Sequence, residues 1–336
     1  MKIKKTPKIL LVIFFIIPVI ILLAFTVFSN ISDKLIGKDK KLKLNTNVDY
    51  GAKITTAISK GDYAQVEDIF IRGLDIDTPN IKGDSPLMSS IRYKQPKIRD
   101  LILSLYPDIN KPNKIGDRPI LLATKQNDFE TIKILTISGA DLNVKNNYGY
   151  TPVLASINLG NKDMARHFIT YGSTAGINSD NFFKYIAKKN MLGIEVFLIG
   201  GISPNVFDSS GNTALIIASA NGDGKLVSLM LKYKANLNIV NKYGTSALIY
   251  SVMKENKQIA KYLVNKGADV NIINKKGETA IFWASYHGYD DIVKLLLEKN
   301  ANPTVKTKKG ITPYGIAEKR YQKKVIRLFR KYNIRS

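Results

Sequence analysis

The sequence contains no cysteine, one tryptophan and two histidines in 336 residues. Without cysteine there are no disulfides, thiolate metal sites or cysteine nucleophiles. The two histidines, His167 and His287, stand far apart, and no H-x-x-x-H or H-E-x-x-H spacing is present for a metal. The phosphate-cradling patterns G-x-G-x-x-G and G-x-x-x-x-G-K-[ST] are missing, and so is the nucleophile elbow G-x-S-x-G. Acidic residues are also scarce, 27 against 51 Lys and Arg, which leaves a formal charge of +24. The excess gathers at the ends. Residues 1–43 carry nine Lys against Asp33 and Asp39, and residues 305–336 carry eleven Lys or Arg against Glu318 alone. Such a balance suits a self-repelling surface, or attraction to acidic proteins, anionic lipid or nucleic acid, and charge alone does not choose.

One long apolar run is present. Ile9 to Phe28, "ILLVIFFIIPVIILLAFTVF", holds no charge and follows the basic flank 1–8. Twenty helical residues at about 1.5 Å each match a ~30 Å hydrocarbon core. Residues 9–28 are therefore expected to form an uncleaved transmembrane anchor, followed by a polar linker over 29–49. A cleaved signal peptide and a buried helix are the competing readings. The basic residues on the two sides nearly balance, but Lys8 abuts the run. That favours an inside N-terminus, with the remainder extracytoplasmic, or periplasmic in a bacterium.

The rest of the chain repeats itself. "GNTALIIASANGDGKLVSLMLKYKA" from Gly211, "GTSALIYSVMKENKQIAKYLVNKGA" from Gly244 and "GETAIFWASYHGYDDIVKLLLEKNA" from Gly277 share one pattern at a 33-residue spacing. The register extends back to Gly149, Gly116 and Gly83 and forward to Gly310. A small residue seven positions after each opening glycine recurs at Ser90, Ala123, Ser156, Ala218, Ser251, Ala284 and Ala317. Between Ser156 and Ala218 the spacing is 62, which leaves one shortened repeat of 29 residues. Pro86, Pro119, Pro152 and Pro313 suit a first helical turn, and Thr151, Thr213, Thr279 and Thr312 suit the cap before it. Ile292, Val293, Leu296 and Leu297 form an apolar stripe at helical spacing.

This pattern resembles the ankyrin repeat. Thr151-Pro152 and Thr312-Pro313 match its opening, and Gly139 to Asn143 and Gly267 to Asn271 match its closing turn. The histidine that usually follows the opening Thr-Pro-Leu is replaced by Met88, Leu121, Leu154, Ile216, Ile249, Phe282 and Gly315. The resemblance implies an all-α fold: an ankyrin-repeat α-solenoid of about nine helix-turn-helix repeats with short hairpin loops over residues 50–336, preceded by one transmembrane helix.

It also implies function. Such arrays bind proteins through a concave face made of hairpin tips and first helices. Those positions read Lys114, Ile115, Asp117, Lys125 and Gln126, then Asn147, Tyr148, Tyr150, Asn158 and Leu159. Further on they read Lys242, Tyr243, Met253 and Lys254, then Lys275, Lys276, Tyr286 and His287, and finally Lys308, Lys309, Lys319 and Arg320. The candidate partner-binding residues among them are Lys114, Lys125, Tyr148, Tyr150, Lys242, Tyr243, Lys254, Lys275, Lys276, Tyr286, His287, Lys308 and Lys309. The expectation is a non-enzymatic, membrane-anchored module for an acidic protein partner. It needs no cofactor, metal or small-molecule substrate. An exported antagonist of a toxin or lipase, or a secreted host-directed effector, is the alternative. No nucleic-acid motif appears. The basic end "EKRYQKKVIRLFRKYNIRS" reads either as a polar cap on the last repeat or as a surface for anionic lipid or nucleic acid. "GETAIFWASYHG" leaves a question: whether Trp283, Tyr286 and His287 form a site or one layer of the stack.

Overall fold

The computed structural model describes residues 48–334. They fall into two compact units that divide between Gly176 and Ile177. The first unit holds four helix pairs: α1 (Tyr50–Lys60) with α2 (Tyr63–Ile71), α3 (Pro86–Arg92) with α4 (Pro96–Ser104), α5 (Pro119–Lys125) with α6 (Phe129–Ile137), and α7 (Pro152–Asn158) with α8 (Lys162–Thr170). The second unit opens with α9 (Ser179–Ala187) and α10 (Met191–Ile199), then α11 (Ala214–Asn221) and α12 (Gly224–Lys232). It continues with α13 (Ala247–Met253) and α14 (Lys257–Asn265), α15 (Ala280–His287) and α16 (Asp290–Glu298), and α17 (Pro313–Lys319) and α18 (Lys323–Lys331). Among the described residues there is no strand, only an isolated bridge between Val240 and Ser246.

Helices of seven to eleven residues do not persist alone in water, so capping and packing must hold them. The amides of Leu154, Ile216, Phe282 and Gly315 donate to the hydroxyls of Thr151, Thr213, Thr279 and Thr312 at 3.0–3.3 Å. Ser85 and Ser246 cap α3 and α13 in the same way. The four expected prolines each occupy the first helical residue.

First helices pack on their successors from α1 through α7 and from α11 through α17, and second helices do so between α2 and α4 and from α14 through α18. The recurring small residue, from Ala57 to Ala317, is fully enclosed in every layer but the shortened one, where Tyr185 takes its place; elsewhere a larger side chain would push the first helices apart. On the second helices, Ile292, Val293 and Leu296 are wholly buried, as Leu226, Val227 and Met230 are two layers before. Each such side chain contributes about 1.5–3 kcal/mol on leaving water. Met88, Leu121, Ile216, Ile249 and Phe282 are buried as well, so apolar packing occupies the place of the usual histidine.

The shortened repeat lacks its hairpin. Between α6 and α7 run fourteen residues, 138–151, but between α8 and α9 only eight, 171–178. Asn178 caps α9 directly, accepting from the Asn181 amide at 2.9 Å. The two units divide within this abbreviated connection.

One expectation is overturned. No helix among the described residues is long and apolar enough to cross a membrane. The longest, α1, has eleven residues, which at 1.5 Å each reach roughly half of a ~30 Å hydrocarbon core. The expected anchor 9–28, its flank 1–8 and nearly all of the linker 29–49 lie outside the described residues. The assignment as a single-pass membrane protein with an extracytoplasmic repeat domain is therefore not sustained.

Candidate protein-binding surface

Five of the hairpins that precede first helices are built around an asparagine three residues before the glycine, and Asp208 and Thr307 stand in its place before Gly211 and Gly310. Asn146 Oδ1 accepts the amides of Tyr148 and Tyr150, both at 3.0 Å. Asn113 does the same for Ile115 and Asp117, and Asn241 for Tyr243 and Thr245. Their amide nitrogens then reach one hairpin back. Asn113 Nδ2 donates to Asp84 Oδ1 at 2.7 Å, Asn146 Nδ2 to Asp117 Oδ1 at 2.8 Å, and Asn241 Nδ2 to Asn212 Oδ1 at 2.8 Å.

The tips are joined by backbone as well. The Lys275 amide donates to the Tyr243 carbonyl and the Lys308 amide to the Lys276 carbonyl, both at 2.9 Å. In the first unit the Asn147 amide donates to the Ile115 carbonyl at 3.1 Å. Each unit thus holds its own row of hairpins in fixed register. This asparagine escaped the sequence reading, although its recurrence three positions before Gly83, Gly116, Gly149, Gly244 and Gly277 was visible.

In the first unit, Lys114, Tyr148 and Tyr150 are exposed, with Tyr148 at 69 %. Ile81, overlooked in the sequence, occupies the equivalent tip of the first hairpin at 81 %. Asp117 is buried rather than presented, because Lys125 Nζ binds both its oxygens at 2.7 Å while Asn146 holds it from the other side. Asp84 and Arg92 form the same pair one repeat earlier, at 2.7 Å. The charge of Lys125 is thus already matched inside the protein.

In the second unit, Lys242, Tyr243, Lys254, Lys275, Lys276, Lys308 and Lys309 are all exposed, with Tyr243 at 66 %. Tyr286 and His287 are only half exposed. His287 stacks on Tyr289 with centroids 5.3 Å apart and on Trp283 at 6.0 Å, while Arg320 covers the Tyr286 ring at 4.4 Å. The Tyr289 hydroxyl donates to Glu255 Oε2 at 2.9 Å, and His287 Nδ1 lies 3.9 Å from Glu255 Oε1. Burial and then that hydrogen bond to a carboxylate push the Tyr289 phenol up to about 12. "GETAIFWASYHG" is therefore a packed aromatic column between the turns of neighbouring layers, with Trp283 half-buried in it.

His167 lies in the other unit and is equally occupied. Its Nε2 is 3.0 Å from Thr136 Oγ1, and its ring meets Phe129 edge-on and tilts against Tyr171. Burial and, next, the Lys133 charge lower its pKa. The "GDGK" stretch is an inter-helix turn, in which Gly222 is left-handed and Asp223 accepts the Leu226 amide to cap α12.

No curated protein matches the chain. A family model described as ankyrin repeats (3 copies) matches residues 183–274, 231–307 and 267–335. These overlapping matches fall on the helix pairs and hairpins of the second unit, whose residues 183–335 are ankyrin repeats.

Proposed function

We propose that the chain is a non-enzymatic binding module that engages an acidic protein partner with its hairpin tips and first helices. Ankyrin repeats are generally protein–protein interaction modules. On this reading residues 50–336 form the repeat domain, and the nine described helix pairs are its repeats.

The observation that carries the proposal is the row Lys242-Tyr243, Lys275-Lys276 and Lys308-Lys309 on three successive, hydrogen-bonded hairpins. The neighbouring acid Glu278 has its carboxylate turned to Asn274 Nδ2 at 2.8 Å. Because the backbone ladder fixes the tips before binding, little conformational entropy is lost on docking. Tyrosine adds rigid amphipathic area, and lysine favours a partner of opposite charge.

The test is cross-linking of the full chain to its partner, followed by association kinetics with K242E/K275E/K276E. Charge reversal is expected to slow association by about tenfold or more at low salt and to flatten its salt dependence. Unchanged kinetics and unchanged salt dependence would reject this surface.

A further inference from the structure

At its first turn helix α18 breaks a rule that its neighbour α16 keeps, whereas at the last turn Lys331 suits the macrodipole and Glu298 of α16 opposes it. α16 opens with Asp290 and Asp291 and closes with Glu298, whereas α18, one period later, carries Lys323, Lys324 and Lys331 there. Positive charge in a first turn opposes the helix macrodipole, and negative charge suits it. The N-cap residue of α18, Gln322, makes no side-chain cap, as Tyr289 makes none for α16, and its Nε2 donates to the Tyr286 carbonyl at 3.1 Å. Arg327 lies three or four residues from Lys323, Lys324, Arg330 and Lys331, the spacing at which like charges repel. None of these five residues forms an ion pair among the described residues.

Capping the stack does not account for this pattern. Arg330 does replace Leu297, an apolar residue of the previous layer, as a terminal repeat requires. The other four stand at positions where α16 already carries charged side chains, so a cap needs polarity there but not a single sign. Tyr321, 85 % exposed, and Tyr332, also exposed, bracket the basic face.

We propose that the outward face of α18, with Tyr321 and Tyr332 at its ends, is a second docking surface whose occupant is an acidic polypeptide segment. Four unpaired solvent-facing cations and two exposed tyrosines complement such a segment in charge and contact area. The general role of ankyrin repeats in protein interaction selects polypeptide over other polyanions. The surface is separate from the hairpin tips and stands or falls independently of them.

The test uses the full chain and a labelled synthetic peptide rich in glutamate, read by fluorescence anisotropy. K323D/K324D is expected to weaken the peptide by about tenfold while leaving the melting temperature unchanged or raised, since it restores the dipole match. K225D, at the matching first-turn position of α12 and outside both proposed surfaces, is expected to leave peptide affinity within about twofold. Because the chain has no cysteine, a photocross-linker on Tyr321→Cys marks one position and is expected to capture the peptide, whereas one on the exposed Tyr106→Cys, outside both surfaces, is not. Unchanged affinity in K323D/K324D, an equal loss in K225D, or a lowered melting temperature in K323D/K324D overturns the proposal. So does tighter binding of oligothymidine or phosphatidylserine vesicles through the same lysines.

Discussion

His167 shows how a conspicuous residue becomes ordinary once its neighbours are known. Thr136 holds its Nε2, aromatic rings enclose it, and both burial and Lys133 disfavour its charged form. A depressed histidine pKa means that the unfolded chain binds the proton more readily. The resulting stability is present above the ordinary value of 6.5 and is lost as pH falls through the folded pKa. Chemical denaturation between about pH 7 and pH 5 should show a shallower loss of stability in His167→Gln than in the parent. Equal slopes would show that His167 is not the sensitive group. The sequence showed only that this residue stands far from His287 and said nothing of its partners, because Thr136 and Phe129 come from the preceding layer.

At the scale of the element, the hairpins and helix ends depend on glycines that differ in what surrounds them. Gly277 has φ +80°, and a Cβ there would lie 2.8 Å from Thr307 Cα and 2.9 Å from the Lys306 carbonyl. Gly267 has φ +89° and open space around it. Both should lose about 1–2 kcal/mol on substitution by alanine, from the left-handed backbone alone. Gly277→Ala should lose at least ~1 kcal/mol more, because the next hairpin's backbone must move. Hydrogen exchange across α13–α18 checks this, and equal losses would refute the close approach. Opening glycines, capping threonines and N1 prolines were legible because each acts within a few residues of its own position. The side-to-side asparagine bonds were not, since their acceptors lie 29 residues away in sequence.

At the scale of the molecule, the missing hairpin coincides with the division into two units. In repeat proteins stability is a sum of repeat and neighbour terms, so damage spreads only as far as those terms couple layers. Phe168 is wholly buried in α8, and Phe168→Ala should remove about 3–5 kcal/mol. Hydrogen exchange is expected to show lost protection in α5–α8 and retained protection in α15–α18. Simultaneous loss throughout would mean one cooperative body instead. The 62-residue spacing announced an irregular repeat, but not which part was absent.

The amino-acid sequence by itself determined the period, the helix pairs, their caps and the buried small residues. Each of these follows from local backbone preference and apolar spacing. It also carried the sign reversal from α16 to α18. Only the tertiary structure decided which charges are free. Lys125 and Asp117 read as two surface residues, yet the fold turns them together and buries the carboxylate. Tyr286 and His287 read as projecting, yet Arg320 and Trp283 cover them. Lys242, Lys275, Lys276, Lys308 and Lys309 remain exposed. The physical reason is that pairing and exposure depend on the adjacent layer, whose residues lie a whole repeat away along the chain.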